Sequence, residues 1–330
     1  MRSLPMQMLK QAQPLLKMPT RLLRKEVINP WKHQRDKVVF VMGATGTGKS
    51  RLSIDLANAF QAEIINSDKI QVYKGLDVVT NKMTKEEQCG IPHHLLGIVG
   101  QHVDYTAKDF SLMATHAVES ILHKDKLPII VGGSNSYIES LVSNPKFGFN
   151  SKYDCCFLWV DVCAPVLYKY VSHRVEKMVQ SGLVNEVREI FDPCNTDYTR
   201  GIRRAIGVPE LDTYFRTEHY LDESSRAEQL HCSINEIKGN TCILANKQLQ
   251  NINRLKYVKG WNINRIDATE VFRKCDKEVA DETWMKTVTR PSIKVLTRFL
   301  KNNIDLESNY STRVVTRSMI GNNNHMIVTN

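Results

Sequence analysis

The sequence predicts an α/β fold: a P-loop-containing parallel sheet with helices on both faces, followed by a C-terminal helical half. Three observations support this prediction. Short apolar segments alternate with helical patterns from residue 37 onward, which is typical of parallel strands covered by helices. A glycine-rich motif joins the first strand to the first helix. From about Pro165 the hydrophobic spacing is helical only.

Each predicted strand is a short apolar run that ends at turn residues or at an acid. The strands are Lys37–Val41, Ala62–Ile65, Leu127–Val131 and Cys156–Val160. We expect one helix from the glycine-rich motif to Phe60, and a second from the capping box of Thr106 and Asp109 to about His123. The later helices cover residues 165–180, 183–191, 201–216, about 225–257 and 281–302.

A phosphate-binding motif, the P-loop, lies between the first strand and the first helix. It reads GATGTGKS and comprises Gly43, Ala44, Thr45, Gly46, Thr47, Gly48, Lys49 and Ser50. In this pattern, backbone N–H groups turn inward around an anion at the positive end of a helix. Lys49 adds a point charge, and the Ser50 hydroxyl is a candidate ligand for Mg²⁺. The motif predicts a phosphate chain as ligand, but it does not say whether that chain belongs to ATP, to GTP or to another diphosphate.

Two carboxylates follow predicted strands and compete for the chemical role. Asp68 follows the second strand, and Asp161 follows the fourth. Because ligands bind beyond the carboxyl ends of parallel strands, we expect the P-loop, Asp68 and Gly132–Ser134 at one sheet edge. There Asp68 could accept a proton from a nucleophile, or it could cap a turn with Asn66 and Ser67. Asp161 could instead hold Mg²⁺ in a kinase or NTPase.

The basic charge of the chain is concentrated at its N-terminus. The 330 residues carry a net charge of +10, and residues 1–36, with eight basic and two acidic side chains, account for +6. This leader resembles an organelle transit peptide, although a disordered basic arm would have the same composition. The remaining +4 predicts no phosphate-tracking surface for RNA. No apolar run approaches the ~20 residues of a membrane span, and the eight cysteines form no C-x-x-C pair of the kind found in zinc sites.

Eight ordered segments resemble the isopentenyltransferase family. They are Gly43–Ser50 (GATGTGKS), Asn66–Asp77 (NSDKIQVYKGLD), Thr80–Lys82 (TNK), Ile91–Leu96 (IPHHLL), Leu127–Tyr137 (LPIIVGGSNSY), Arg174–Val187 (RVEKMVQSGLVNEV), Gly201–Leu211 (GIRRAIGVPEL) and Thr241–Leu249 (TCILANKQL). Members of this family move a dimethylallyl group from its diphosphate to the exocyclic amine of an adenine. The chain is most similar to the plant members that act on free adenine nucleotides and begin cytokinin synthesis.

The resemblance implies roles for individual residues. Asp68 would be the general base, and Lys49, Ser134 and Arg204 would act on the diphosphate, with Mg²⁺ near Ser50. Further substrate contacts would come from Asn66, Ser67, Gln71, Lys82, Arg203 and Lys247, and extra phosphates could also meet Arg200, Lys238 or Arg254. Relatives often have arginine at position 247, and lysine there loses the bidentate fork.

The family has two kinds of acceptor, and the sequence favours free nucleotides over tRNA. The tRNA enzymes carry a long helical insert where this chain has only Ile138–Asp154. Their eukaryotic members also carry a C-terminal zinc finger, whereas this chain has only Cys275 and His325 beyond residue 257. We therefore expect dimethylallyl diphosphate and ADP or ATP as substrates, with AMP as a third acceptor. We expect no nucleic acid or membrane partner, and a monomer.

The predicted organisation has four parts. Residues 1–36 form the leader, 37–162 the P-loop catalytic core, 163–302 a helical part that closes over the substrates, and 303–330 a tail. The leader predicts a plastid location, with the cytoplasm or the mitochondrion as alternatives. The adjacent pair His93–His94 is expected to form a turn after Pro92 rather than a metal site.

Overall fold

The computed structural model describes residues 35–301. Six strands form one sheet within these residues: β1 (Asp36–Met42), β2 (Ala62–Asn66), β3 (His93–His94), β4 (Leu127–Val131), β5 (Tyr153–Asp161) and β6 (Ile263–Asp267). All neighbours pair in parallel, in the order β3-β2-β4-β1-β5-β6. The predicted fold class and the four predicted strands are confirmed. The predicted tail, and the leader apart from Arg35 and Asp36, lie outside the described residues.

The central strands of the sheet are buried on both faces because most of their positions are apolar. In β1, Val38, Phe40 and Met42 pack into one hydrophobic core, while Val39 and Val41 pack into the core on the opposite face. Successive side chains of a strand point to opposite faces, so an unbroken apolar run fits a strand that has helices on both sides.

The helices of the described chain cover both faces of the sheet. They are α1 (Lys49–Phe60), α2 (Ala107–Leu122), α3 (Asn135–Ser143), α4 (Phe149–Lys152), α5 (Ala164–Gln180), α6 (Leu183–Glu189), α7 (Asp212–Thr217), α8 (Glu223–Asn253), α9 (Thr269–Phe272), α10 (Lys277–Trp284) and α11 (Arg290–Lys301). A π-helical turn, Arg254–Val258, extends α8, and a second one, Met285–Thr289, joins α10 to α11. No helix in residues 35–301 combines the length and the apolar character that a membrane span needs.

The predicted helix over residues 201–216 is wrong. The structure has two short 3₁₀ turns, Gly201–Arg204 and Pro209–Leu211, before α7. Gly201 and Gly207 have φ of +56° and +112°, which an α-helix does not allow. Gly201 also packs so closely against the backbone of Gln101 that a Cβ would lie 2.1 Å from its carbonyl oxygen. The backbone must therefore bend at both glycines.

Two strands at the edges of the sheet were not predicted. His93 and His94 were expected in a turn, but they pair with Ile64 and Ile65 as strand β3. His94 Nε2 lies 2.7 Å from a Glu63 carboxylate oxygen, so this histidine is hydrogen-bonded to the acid of the neighbouring strand. At the other edge, β6 pairs with β5. Its two buried residues, Ile263 and Ile266, pack into the cores on opposite faces of the sheet, and its polar residues are more exposed.

Candidate active site

The P-loop connects β1 to α1 and has the glycine-dependent shape that its motif predicts. Gly46 and Gly48 have φ of +84° and +88°, a region that glycine occupies without steric cost. Neither position has room for a side chain, because a Cβ would lie 2.6 Å from Val171 Cγ1 or from the Trp284 ring, respectively. Since α1 begins at Lys49, the unpaired N–H groups of its first turn are available to an anion in the loop.

A cleft of about 910 Å³ lies over the P-loop at the carboxyl edge of the sheet. Its lining includes Thr45, Gly46, Gly48, Lys49, Ser50, Asn66, Asp68, Gln71, Lys82, Gly132, Gly133, Arg174, Arg204, Lys247 and Gln248. The loops after β2 and β4 touch each other, because Lys69 N donates to Ser134 Oγ at 2.9 Å. The expected meeting of the P-loop, Asp68 and the Gly132–Ser134 segment at one edge is thus present in the fold.

Two cations line the cleft beside the P-loop. Lys49 Nζ donates to the Ala44 carbonyl at 2.6 Å. Burial lowers the pKa of Lys49 to about 8, although the nearby negative charge of Asp68 raises it. Arg174 Nη2 donates to Thr45 Oγ1 at 2.8 Å, and its buried Nε has no hydrogen-bond partner among residues 35–301. Burial also lowers the pKa of Arg174. Both cations therefore lack counter-charge that a bound anion would supply.

Asp68 serves the turn with one carboxylate oxygen and leaves the other one available. Oδ1 accepts hydrogen bonds from the backbone N–H groups of Ile70 (2.9 Å) and Gln71 (3.4 Å). Asn66 Oδ1 accepts from the Asp68 N–H at 3.2 Å. No group of residues 35–301 donates to Oδ2. The turn therefore fixes the carboxylate at the cleft wall, with Oδ2 available to take a proton.

Ser67 and Ser134 support this wall without lining the cleft. Ser67 is fully buried, and its Oγ has no hydrogen-bond partner among the described residues. A Cβ on Gly132 would lie 2.3 Å from that oxygen, so the two loops are in close contact. Ser134 Oγ accepts from Lys69 N, which leaves its hydroxyl proton free to be donated.

Three other predicted residues line the cleft and already have partners. Arg204 donates to the Gly201 carbonyl and to Tyr73 Oη, both at 3.1 Å. Gln71 Nε2 donates to two carbonyls of the TNK segment at 3.0 Å each. Lys82 Nζ pairs with Asp77 Oδ1 at 2.7 Å. Of these, only Arg204 adds positive charge that no carboxylate neutralises.

Arg203 was expected to contact substrate, and the structure instead directs its side chain into the protein. Its guanidinium donates to the carbonyls of Asp197 (3.1 Å) and Asn195 (2.8 Å) and stacks over the Tyr198 ring at 4.6 Å. These two hydrogen bonds and the ring contact satisfy a cation that is nearly buried. Arg203 therefore holds in place the loop that carries Arg204.

The other candidate phosphate contacts are paired with carboxylates outside the cleft. Arg254 pairs with Glu139, Lys238 pairs with Glu176, and Arg200 lies 3.9 Å from Asp197. Lys247 alone of the helix α8 candidates lines the cleft.

Asp161 does not line the cleft. Its Oδ2 accepts from Arg265 Nε at 2.7 Å, and its carbonyl accepts from Ala268 N at 2.8 Å. Both partners belong to β6 and the residue that follows it. The kinase interpretation therefore loses the strand-terminal acid that would hold Mg²⁺.

Arg174 and Gln248 are the residues that sequence reasoning missed. Gln248 Oε1 accepts from Thr45 N at 2.7 Å, and a Cβ on Gly133 would lie 2.3 Å from its Nε2. Both residues lie in segments that resemble the family. For Arg174 the available signal was its spacing from Val171. The two residues are three positions apart and so share one face of a helix, and Val171 packs against Gly46 of the P-loop.

The cleft fits a magnesium ion that arrives with a phosphate ligand. No group of three or more His, Cys, Asp or Glu side chains in residues 35–301 could hold a metal ion. Mg²⁺ usually keeps several waters and takes one or two protein ligands beside substrate phosphates. The Ser50 hydroxyl, which lines the cleft, is compatible with that mode.

A model of the IPP transferase family matches residues 71–152 and 143–254. The chain belongs to the IPP transferase family. As a family member it is a prenyl transferase. It is similar to adenylate isopentenyltransferase 3, chloroplastic, of Arabidopsis thaliana, with 56% identity over 83% of this chain and 81% of that protein. It is also similar to adenylate isopentenyltransferase 5, chloroplastic (58%; 84% of each chain), and adenylate isopentenyltransferase 7, mitochondrial (50%; 91% of each), of the same plant.

Solved structures agree with the family's fold. A eukaryotic dimethylallyltransferase acting on tRNA matches with a TM-score of 0.67 and 25% identity, over 81% of this chain and 80% of that chain. A tRNA isopentenylpyrophosphate transferase of Staphylococcus epidermidis matches with a TM-score of 0.59 and 22% identity, over 76% and 99%. The latter likeness concerns the fold alone.

Proposed function

We propose that the protein transfers the dimethylallyl group of dimethylallyl diphosphate to the exocyclic amine of a free adenine nucleotide, and so performs the first step of cytokinin biosynthesis. The single observation that carries this proposal is that one cleft contains three side chains suited to the reaction. They are Lys49 and Arg174, two cations with few hydrogen-bond partners, and Asp68, which has a free carboxylate oxygen. The adenylate isopentenyltransferases to which the chain is 50–58% identical support the same reaction.

The P-loop binds the diphosphate of the donor in this proposal. As the allylic C–O bond breaks, its electron pair moves to the diphosphate, and the negative charge there grows. Lys49, Arg174, Arg204 and the N–H groups at the start of α1 stabilise that charge, and because they are positioned before the reaction, no reorganisation is needed. The Ser50 hydroxyl would hold a magnesium ion, which would supply further neutralisation of the phosphate charge.

Asp68 removes the proton of the acceptor. The amine nitrogen forms a bond to the allylic carbon and loses one proton to Asp68 Oδ2. The dimethylallyl group therefore ends as a substituent on a neutral amine, and the diphosphate leaves. Holding amine and allylic carbon in contact contributes on the order of 7–11 kcal/mol at best. The helical part at residues 163–302 closes over the substrates and keeps water from the cation-like carbon.

A free nucleotide is the acceptor that the cleft favours over tRNA. Between α3 and β5 the chain has only residues 144–152, which contain the short helix α4, where the tRNA enzymes carry a long insert. Lys247, at the cleft wall, supplies charge for the additional phosphates of ADP or ATP. We propose that the enzyme acts as a monomer on these small molecules.

The test uses labelled dimethylallyl diphosphate, Mg²⁺ and either ADP, AMP or an unmodified tRNA. The proposal expects labelled nucleotide with ADP and no labelled tRNA. The Asp68→Asn variant should bind both substrates and lose about 10²–10⁴-fold in rate, as expected when a general base is removed. Asp161→Asn is the matched control and should keep its prenyl transfer rate. Labelled tRNA, phosphate transfer without donor turnover, or full turnover by Asp68→Asn would each contradict the proposal.

The location in the cell rests on the leader and on the relatives. The similar proteins named above are chloroplastic or mitochondrial, and we propose the plastid for this chain. A fluorescent fusion of residues 1–40 should accumulate in plastids, and a diffuse cytosolic signal would contradict this.

A further inference from the structure

We infer that Trp284 is a positioning residue for the P-loop, and that the helix formed by α10, the π-helical turn and α11 acts as a brace for the diphosphate site. The family match ends at residue 254, so this helix lies beyond it. The inference rests on the proposed function only in taking a diphosphate as the anion of the loop.

The Trp284 ring lies directly against the P-loop backbone. A Cβ on Gly48 would be 2.6 Å from Cη2 and 2.8 Å from Cζ3 of the ring. Trp284 is 1% exposed, so the ring has little freedom to move away. Gly48 is the residue immediately before α1, and its φ of +88° sets the direction in which the loop enters the helix.

The ring is held in this place by contacts to α1 itself. Trp284 Nε1 donates to Asp55 Oδ2 at 2.7 Å, and Thr289 Oγ1 donates to the same oxygen at 2.6 Å. The Arg51 guanidinium lies 4.7 Å from the ring centre and pairs with Asp281 at 2.8 Å. The brace therefore contacts the first two turns of α1, the helix whose N-terminus faces the phosphate site.

The π-helical turn explains how one carboxylate can receive both donors. Residues five apart lie about 140° apart around an α-helix, so Trp284 and Thr289 would face different neighbours in regular geometry. The wider turn over Met285–Thr289 brings them to the same side. Such turns recur at functional sites, and this one lies where the brace meets the P-loop helix.

The brace has a consequence for anion binding. The P-loop binds a diphosphate well only if its N–H groups already point inward when the anion arrives. If the ring is removed, Gly48 gains room to change its backbone angles, and the loop loses this preorganisation. We therefore expect weaker binding at the diphosphate subsite and little change at the nucleotide subsite.

The test measures binding of inorganic pyrophosphate with Mg²⁺ to the full chain by calorimetry. Trp284→Ala should weaken pyrophosphate binding about 10- to 100-fold, the scale expected from a misplacement of about 1 Å. Trp284→Phe keeps a ring against Gly48 and should stay within about threefold of the unmodified protein. Leu296→Ala is the matched control, because it truncates a fully buried side chain of α11 in the same core.

The outcomes separate a positioning role from a purely structural one. Leu296→Ala should lower the melting temperature at least as much as Trp284→Ala and yet bind pyrophosphate normally. In turnover, Trp284→Ala should raise KM for the prenyl donor and leave KM for the nucleotide unchanged. Equal pyrophosphate affinities of Trp284→Ala and Leu296→Ala, or parallel changes of both KM values, would overturn the inference. If Trp284→Ala does not fold, Trp284→Leu, with its shorter reach toward Gly48, takes its place with the same expectations.

Failure of this inference can be told from failure of the proposed function. Pyrophosphate binding needs no prenyl transfer. The inference about Trp284 is therefore supported if Trp284→Ala weakens pyrophosphate binding, even when the protein prenylates no nucleotide. Conversely, normal pyrophosphate binding and normal turnover by Trp284→Ala would contradict the inference about Trp284 and leave the proposed reaction unaffected.

Discussion

Replacing Arg174 by methionine should lower kcat/KM about 10²–10³-fold, as for loss of one preorganised donor to an oxyanion, without lowering stability. The magnitude follows from the geometry of the side chain. Nη2 is 2.8 Å from Thr45 Oγ1 in the P-loop, so the guanidinium reaches the phosphate site. Its buried Nε has no hydrogen-bond partner among residues 35–301, so the guanidinium is incompletely hydrogen-bonded in the free protein. The factor corresponds to about 2.7–4 kcal/mol of transition-state stabilisation.

The unchanged stability is the more specific part of this prediction. Burial lowers the pKa of Arg174, which means that the charged form is under-solvated in the free protein. Methionine has a similar length and no charge, and replacing a poorly compensated buried charge by an apolar side chain is often neutral or stabilising. Thermal unfolding of the ligand-free variant should therefore match or exceed that of the unmodified protein.

The assay compares Arg174→Met with Arg254→Met, whose guanidinium pairs with Glu139 outside the cleft. The control should lose less than about twofold in kcat/KM, because a half-exposed ion pair contributes at most about 1 kcal/mol and does not touch substrate. Arg174→Lys should recover only part of the rate, since lysine lacks the planar fork. A rate for Arg174→Met within threefold of the unmodified enzyme, or a rate loss that merely follows unfolding, would refute the reasoning.

Three further predictions concern charge. Because the pKa of Lys49 is about 8, its ammonium is present below that pH and lost above it, so pyrophosphate affinity of the free enzyme should fall as the pH rises through 8; a flat profile from pH 7 to 9 would contradict this. Burial alone would raise the pKa of Glu63, but hydrogen bonds from His94 and two lysines outweigh it and lower the pKa to about 2. This stability is complete above the unfolded pKa near 4.5 and is lost toward pH 2, so Glu63→Gln should remove on the order of 2 kcal/mol of the difference in unfolding free energy between pH 6 and pH 3, measured by denaturant titration at both pH values. Arg203→Lys should lower kcat/KM about tenfold by loosening the loop of Arg204, and unchanged kinetics would exclude this supporting role.

The sequence was sufficient for those parts of the fold that depend on local pattern. The apolar runs of β1, β2, β4 and β5 predict buried strands, and the glycines of the P-loop predict its backbone shape. The broken segment at 201–216 was missed because its bends depend on tertiary contact. Gly201 turns where it meets Gln101, and no spacing of apolar residues within the segment records that contact.

The site was predictable up to the point where side chains choose between the cleft and the protein interior. Adjacent arginines 203 and 204 have the same local sequence context, yet Arg204 lines the cleft and Arg203 binds backbone carbonyls. Arg174 and Gln248 lie on helices whose contact with the P-loop is set by the packing of α5 and α8. Which face of a helix meets a distant loop is fixed by the whole core and not by the helix alone.

The bond between Thr45 and Gln248 joins residues 203 positions apart in the chain, and the one between Asp55 and Trp284 spans 229. Because the chain is synthesised from its N-terminus and a domain folds as a unit, the glycine-rich loop emerges from the ribosome long before either residue that fastens it. A nascent or truncated chain that stops short of residue 284 therefore exposes a phosphate-binding sequence but not a finished pocket. Catalytic competence should arise late and abruptly during translation, so incomplete products of synthesis would be inert rather than partly active.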